Sequence, residues 1–189
     1  MKSLPKINIA PSTPICLLLL AITLGIPYVI AVATATALHE MGHIAAIYSV
    51  GSRVSRISLR PFGAVIERCE NKSSYLSDAV ISLSGPAVNL LSFLICFLVG
   101  SGGIFGSASL VLALVNLIPA RPLDGYCALR SLCLTRMSVE LSVKICTLVS
   151  LVFLSVLWAF SIYMLIYANF NVSLLLTVTF LMFETLSKI

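Results

Sequence analysis

A stretch of 32 residues without a charged side chain, from Ile7 to Leu38, limits what this chain can fold into. A helix of roughly 20 apolar residues crosses the hydrocarbon core of a bilayer, so the stretch is too long for a single crossing. Gly25-Ile26-Pro27 provides a break, because glycine and proline both interrupt helices. The stretch therefore predicts two membrane spans, near Ile9–Leu24 and Tyr28–Val50.

The remaining sequence continues the pattern of a multi-pass membrane protein. Of its 189 residues, 59% are hydrophobic and only 10% are charged, whereas soluble domains carry about 25% charged residues. Four further apolar runs predict spans near Leu76–Val99, Ile104–Ile118, Ile145–Tyr167 and Phe170–Leu186. The predicted fold class is an all-α polytopic membrane protein with six transmembrane helices. No long polar stretch could fold as a separate module, so residues 1–189 are predicted to form a single domain.

The basic residues support six crossings and predict their orientation. Six crossings place the N-terminus, residues 51–75, residues 119–144 and the C-terminus on one side, and these segments contain all 12 Lys and Arg residues. Cytoplasmic loops are enriched in Lys and Arg, so both termini are predicted to be cytoplasmic. The net charge of +5 is thereby assigned to membrane topology, and no nucleic-acid partner is predicted.

One segment beside the membrane has the pattern of a β-structure. Val54–Arg68 contains β-branched residues in partial alternation around Pro61-Phe62-Gly63. This pattern predicts a small membrane-adjacent β-hairpin. An irregular loop is the alternative.

The second predicted span contains the strongest chemical signal, His39-Glu40-Met41-Gly42-His43. Residues four apart on a helix lie one turn above each other, so both imidazoles project from one face. Zinc binds neutral imidazole, and a glutamate beside the first ligand can act as general base on the metal's water. Ionisable groups within a span cost about 2.5–3.5 kcal/mol each on insertion scales and usually mark function. The alternative is that these side chains only hydrogen-bond between helices.

A third zinc ligand must come from another residue type, because His39 and His43 are the only histidines. Asp124 is the best candidate. It follows Pro119 and Pro122, which exclude a regular helix before it, and Gly125 predicts a sharp turn after it. The alternative is a cytoplasmic turn that leaves Asp124 solvated. Two carboxylates at predicted span ends are weaker candidates: Asp78 and Glu184.

The third predicted span contains Ser84-Gly85-Pro86-Ala87-Val88-Asn89. Gly85 and Pro86 predict a bend in the helix and a freed backbone carbonyl. Asn89, one turn further on, could donate a hydrogen bond to a substrate carbonyl or a developing oxyanion. Packing between helices is an equally open interpretation of these residues.

Three motifs together resemble the site-2 protease family of intramembrane zinc metalloproteases. They are H-E-x-x-H in the second span, G-P-x-x-N in the third and N-x-x-P-x-x-P-L-D-G after the fourth. Six spans, the RPFG hairpin and the lack of an inserted PDZ domain look most like the stage IV sporulation membrane metalloproteases. Members of that type usually continue into a nucleotide-sensing domain. None is predicted within residues 1–189, which puts regulation by such a domain in doubt.

The resemblance implies one Zn²⁺ per chain, held by His39, His43 and Asp124, with Glu40 as the base. It also implies that Asn89 and Asn116 help to position the substrate, and it makes Gly85, Pro86, Pro119 and Gly125 structural residues of the motifs.

The function that the resemblance implies is regulated intramembrane proteolysis, and the membrane it implies is a bacterial cytoplasmic membrane. The substrate would be a membrane-tethered pro-transcription factor, an anti-sigma factor or a remnant signal peptide. A non-catalytic zinc-binding membrane scaffold and a metal transporter are the alternative functions. An intact Glu40 argues against the scaffold, and a single cluster of ligands argues against a transport path.

Overall fold

The computed structural model describes residues 6–9, 18, 21–23, 25–60, 63–68, 74–167 and 172–187. Three strands and six helices are defined there. They are, in chain order, β1 (Lys6–Ile9), α1 (Ile26–Ser49), β2 (Val54–Arg60), β3 (Gly63–Arg68), α2 (Tyr75–Leu98), α3 (Ile104–Asn116), α4 (Asp124–Leu134), α5 (Val139–Tyr167) and α6 (Val172–Leu186). The chain divides into two compact units, Met1–Val115 and Asn116–Ile189.

Three helices are long and apolar enough to cross a membrane: α1, α2 and α5. The apolar helices α3 and α6 have 13 and 15 residues, so they extend only about 20 Å, whereas the hydrocarbon core is roughly 30 Å thick. The first predicted span falls mostly outside the described residues, and Ile9, its predicted first residue, ends strand β1 instead. The count of six crossings therefore stays a prediction.

The spans predicted at Tyr28–Val50 and Leu76–Val99 agree closely with helices α1 and α2. The fifth span differs, because α5 begins at Val139 and not at Ile145. Its first turns carry an ion pair between Glu140 and Lys144, with 2.8 Å between Nζ and the carboxylate oxygen. Charged residues extend the helix beyond its apolar part, where hydropathy gives no signal.

Glycines define the ends of the helices that build the first unit. Gly25 has a φ of 91° and lies just before α1, as the predicted break requires. Gly51 and Gly100 follow α1 and α2 with φ angles of 79° and 71°. In both turns the amide after the glycine donates back into the last helical turn, for example from Ser52 to Ile47 at 3.0 Å. These are Schellman motifs, which terminate helices and satisfy their last carbonyl groups.

The predicted hairpin is confirmed, and the structure adds a third strand to it. Strand β2 pairs with β3 in antiparallel register and with β1 in parallel register, so β2 is the central strand. Arg60 pairs with Gly63, and the predicted turn at residues 61–62 lies outside the described residues. Strand β1 was missed because four residues beside a charged N-terminal segment give no periodic signal.

The hairpin lies against the ends of α1 and α2. Its inward side chains Val54, Ile57 and Ile66 pack with Ala46, Ile47 and Ile81 of the helices. Arg68 of β3 donates a hydrogen bond to Asp78 near the start of α2, at 2.7 Å. Asp78, a weaker ligand candidate in the sequence, therefore takes part in an ion pair that joins the hairpin to α2.

The second unit is centred on α5 and α6. Leu154 of α5 and Val178 and Leu181 of α6 form its buried core together with Ala120, which lies in the loop before α4. This loop is irregular, as the two prolines predict, but the predicted sharp turn after Asp124 is wrong. Asp124 is the first residue of helix α4, and Gly125 continues that helix.

Candidate metal centre

The two histidines of the first unit converge within one turn of helix α1. His39 and His43 are buried, with exposed fractions of 5% and 8%. Their rings are nearly perpendicular, and their Nε2 atoms lie 3.1 Å apart. The spacing of four residues brings the rings together as the sequence predicts. Glu40 lies between them on the same helix and is half-buried.

A backbone carbonyl of α2 defines the tautomer of one ring. The Nδ1–H of His43 donates to the carbonyl oxygen of Ile81 at 2.8 Å. Ser84 adds a longer contact, with its Oγ 3.4 Å from the same Nδ1 atom. A neutral imidazole with its hydrogen on Nδ1 presents a lone pair on Nε2. His43 therefore directs a metal-binding atom toward His39, with its other nitrogen held in the way usual for metal-bound histidine.

Two glycines leave the space that this arrangement needs. A Cβ atom at Gly85 would lie 2.7 Å from Cε1 of His43 and 2.8 Å from Nε2 of His39, and it would also clash with Nε2 of His43. A Cβ at Gly42 would lie 2.7 Å from the carbonyl oxygen of Ser84. Gly85 makes room for both imidazoles, and Gly42 lets α1 and α2 approach each other closely. Neither role was predicted, since the Gly85-Pro86 pair predicts only a bend.

Asn89 lies against the other face of the His39 ring. Its Nδ2 is 3.3 Å from Nδ1 of His39, and the side chain is fully buried. The Oδ1 atom of Asn89 is buried without a hydrogen-bond partner among the described residues. The structure therefore places Asn89 next to a histidine of the pair, which is a different neighbour from the substrate carbonyl that the sequence suggested.

The histidine pair fits a metal ion. Two nitrogens that bind one zinc at about 2.0–2.1 Å with tetrahedral angles lie about 3.3 Å apart, close to the 3.1 Å found between the Nε2 atoms. The missing side chain of Gly85 leaves the space that these ring atoms use. The donor atoms are imidazole nitrogens, which suit zinc among the common metals. The residues present are therefore compatible with the predicted Zn²⁺.

In the second unit, the loop before Asp124 is attached to α5. Ser150 of α5 donates a hydrogen bond to the carbonyl oxygen of Pro119, and Ala120 is fully buried in the core of the unit. Arg121 donates to the hydroxyl of Tyr126 at 2.5 Å, and its guanidinium lies 4.8 Å from the centre of that ring. The loop is thus anchored at several positions before the chain enters α4.

Asp124 begins α4, where a carboxylate is favoured by the positive end of the helix dipole. Gly125 next to it is buried, and a Cβ there would clash with the backbone of Leu117 and lie 2.7 Å from the carbonyl oxygen of Ile118. Gly125 is therefore needed for a close approach between backbones. The sequence predicted a sharp turn at Gly125, and the structure has this close approach there instead.

The other candidate residues have the following positions. Asn116 is the last residue of α3 and is half-buried. Pro86 lies inside α2 without ending it. Ile81, Ser84 and Gly42 were missed by the sequence analysis. Ile81 acts through its backbone, which carries no sequence signal. The G-x-x-x-[small] approach of Gly42 to α2 could have been suspected from its place beside His43.

Comparison with known proteins connects this geometry to a family. Residues 27–106 match peptidase family M50. The match includes the histidine pair, Glu40, Gly85, Pro86 and Asn89, and it ends before Asp124.

A Synechocystis sp. protein named "Putative zinc metalloprotease sll0528" is 32% identical over 125 residues, which are 57% of this chain and 33% of that protein. The chain thus spans about a third of the length of this relative. Among solved structures, the site-2 protease from Methanocaldococcus jannaschii is similar with a TM-score of 0.69. The two sequences are 22% identical, and the similarity covers 99% of this chain and 93% of that one. This likeness shows a shared fold.

Proposed function

We propose that this chain, which carries a peptidase family M50 domain in residues 27–106, is an intramembrane zinc metalloendopeptidase acting on membrane-tethered proteins. The observation that carries the proposal is the convergence of two buried Nε2 atoms, 3.1 Å apart, on a helix apolar enough to span a membrane. Polar groups buried in a span are costly, so such a cluster usually marks a functional site.

The metal would be held by His39, His43 and Asp124, one ion per chain. Three protein ligands and one water are the usual set for catalytic zinc, and two imidazoles leave the set one ligand short. Asp124 is supported by its place in the N-x-x-P-x-x-P-L-D-G motif. A carboxylate at the start of a short helix on an anchored loop also has a restricted position, as a metal ligand needs. When bound, zinc would make its water more acidic and polarise the scissile carbonyl.

Glu40 would transfer the proton. It follows the first ligand directly and is half-buried on the helix that carries both histidines. Its carboxylate accepts a proton from the attacking water and returns it to the nitrogen of the departing amine. Asn116 would contribute its side-chain amide to the positioning of the substrate backbone, as the motif implies. Because backbone groups in a helix are hydrogen-bonded to each other, the substrate must be locally extended before cleavage.

The hairpin gives such a segment a place to bind. Strand β2 is paired on both sides, so the strand edges of the described sheet belong to β1 and β3. An extended peptide can add to such an edge through backbone hydrogen bonds. Val65 of β3 is exposed, whereas Ile57 and Ile66 pack against the helices. One face of the sheet is therefore accessible, and the opposite face is attached to α1 and α2.

The proposed setting is a bacterial cytoplasmic membrane crossed six times, with both termini in the cytoplasm. The distribution of all 12 Lys and Arg residues supports this orientation. The substrate class is a membrane-spanning protein such as a pro-transcription factor, an anti-sigma factor or a remnant signal peptide.

The test uses Glu40→Gln in the full chain. Glutamine keeps the size of the side chain but accepts no proton at neutral pH. Wild type and variant should each contain one zinc by elemental analysis. Cleavage of a co-expressed membrane substrate should fall by at least about 10²-fold in the variant, the low end for loss of a general base.

Three results would contradict the proposal in different ways. Equal cleavage by both proteins would remove Glu40 from the mechanism. Zinc binding with no cleavage of any membrane protein, measured by mass spectrometry of membrane fractions, would favour a scaffold. Zinc flux through proteoliposomes that is unaffected by Glu40→Gln would favour a transporter.

A further inference from the structure

The polar contacts around the histidine pair link both rings to helix α2. The carboxamide of Asn89 lies 3.3 Å from Nδ1 of His39, measured to its Nδ2 atom, and Nδ1 of His43 lies 2.8 Å from the carbonyl oxygen of Ile81. The carbonyl can only accept, so His43 carries its hydrogen on Nδ1 and presents the lone pair of its Nε2 toward Nε2 of His39, 3.1 Å away.

The same tautomer would be needed at His39 if its Nε2 held zinc. The neutral ring would then carry its hydrogen on Nδ1, beside the carboxamide of Asn89. The nitrogen and oxygen of a carboxamide exchange places by a rotation of 180°, so the oxygen of Asn89 can lie at this position. The oxygen is available, because Oδ1 of Asn89 is buried without a hydrogen-bond partner in the described part of the chain.

We propose that Asn89 is a positioning residue whose side-chain oxygen accepts the Nδ1–H of His39 and so orients this ring for zinc. The proposal rests on the proposed function and adds a role that the substrate-positioning interpretation of Asn89 does not contain. Helix α2 then supplies the acceptors for both metal-binding rings, the side chain of Asn89 for His39 and the backbone of Ile81 for His43. Partners of this kind orient the ring and raise its basicity toward the metal.

The test compares two substitutions in the detergent-solubilised full chain. Asn89→Leu removes the acceptor with little change in volume, whereas Asn89→Asp keeps an oxygen in place and has no donor. Zinc affinity is measured by competition with a chromophoric chelator. We expect Asn89→Leu to weaken zinc binding about 10- to 100-fold, the range for loss of an outer partner of a metal ligand. Asn89→Asp should bind zinc at least as tightly as wild type, because it always requires the hydrogen on Nδ1.

A control variant and a spectroscopic measurement separate this role from a structural one. Ser109→Ala removes another buried polar group of the same unit, one without a hydrogen-bond partner among the described residues, and should leave zinc affinity unchanged. Co²⁺ in place of zinc should give visible bands that shift in Asn89→Asp, because the carboxylate makes His39 a stronger donor. A residue needed only for helix packing would not shift these bands, and its loss would not be rescued by Asp.

Each result decides the proposal. Wild-type zinc affinity in Asn89→Leu overturns it, even if cleavage falls, since that pattern belongs to a substrate-positioning residue. If Asn89→Leu does not fold, Asn89→Asp decides: weakened zinc binding or an unchanged Co²⁺ spectrum overturns the proposal. A wild-type chain that binds no zinc would instead overturn the proposed function on which it rests.

Discussion

The two regions that carry the proposed metal ligands are built differently. His39 and His43 lie on a continuous helix of 24 residues, and the groups that direct them, a backbone carbonyl and a carboxamide, come from the neighbouring helix α2. Asp124 starts an 11-residue helix after a loop, and its position depends on backbone contacts around Pro119 and Gly125. In the histidine region the pitch of one helix places the ligands, and empty space lets them meet. In the Asp124 region the ligand is the first residue of its helix, so its position depends on how the preceding loop is anchored.

The largest effect is expected from filling the space beside the histidines. Gly85→Ala places a methyl group in clash with Nε2 of both His39 and His43, so the two rings cannot converge as they do now. The variant should contain no stoichiometric zinc by elemental analysis. Gly102→Ala is the matched control, since a Cβ there meets nothing within 4 Å, and it should retain one zinc. One zinc per chain in Gly85→Ala would show that the two imidazoles can move and still bind the metal.

Removing the third ligand should have the next largest effect. Asp124→Ala leaves both imidazoles in place but takes away the carboxylate, so zinc affinity should fall by more than about 100-fold, beyond the range for outer partners. Competition with a chelator measures this directly. Asp124→Glu keeps the negative charge but moves the carboxylate by one methylene group, so it tests whether zinc binding depends on the position of the carboxylate as well as on its charge. An Asp124→Ala variant that remains fully loaded at low zinc would assign the third ligand to another residue.

A smaller effect is expected from Gly125→Ala. Its Cβ would clash with the backbone of Leu117, so the start of α4 must shift while Asp124 itself is retained. Overpacking of this kind costs about 1–3 kcal/mol of folding free energy, and zinc affinity should fall less than in Asp124→Ala. Thermal unfolding of the metal-free protein measures the first quantity and chelator competition the second. Unchanged stability would mean that the loop adjusts freely and does not hold Asp124.

The hairpin is expected to show the smallest effect on rate and a clear effect on contact. A photocrosslinking residue at Val65, whose side chain is exposed, should capture the substrate without reducing cleavage by more than about twofold, since surface substitutions usually cost little. The same probe at Ile57, which packs against α1 and α2, should give only internal crosslinks. Substrate captured at other positions, with none at Val65, would argue that the hairpin has only a structural role against the helices.

Much of the histidine region could be predicted from the sequence, because its determinants are local. Four-residue spacing brings His39 and His43 onto one face, and the break at Gly25 and the apolar length of α1 are read directly from residue order. The roles of Gly85 and Asn89 were only partly predicted. Their relation to the imidazoles depends on how α2 packs against α1, which periodicity does not encode.

The Asp124 region shows the opposite balance. Its prolines correctly predicted an irregular loop, but the helix beginning at Asp124 was missed, and a sharp turn was predicted at Gly125. A helix of 11 residues that begins two residues after Pro122 and carries Arg130 contains no apolar run long enough to be recognised as a span.

The sequence alone predicted the membrane class, the helix that carries the histidine pair, the hairpin and the residue types of the proposed metal site. Each of these follows from residue type and local spacing, and hydropathy and helix pitch act over neighbouring residues. The tertiary structure decided which glycines must be glycine, which carbonyl directs His43 and what the carboxamide of Asn89 contacts. These depend on the close packing of segments about 40 to 50 residues apart, because side chains in a packed interior leave no spare volume.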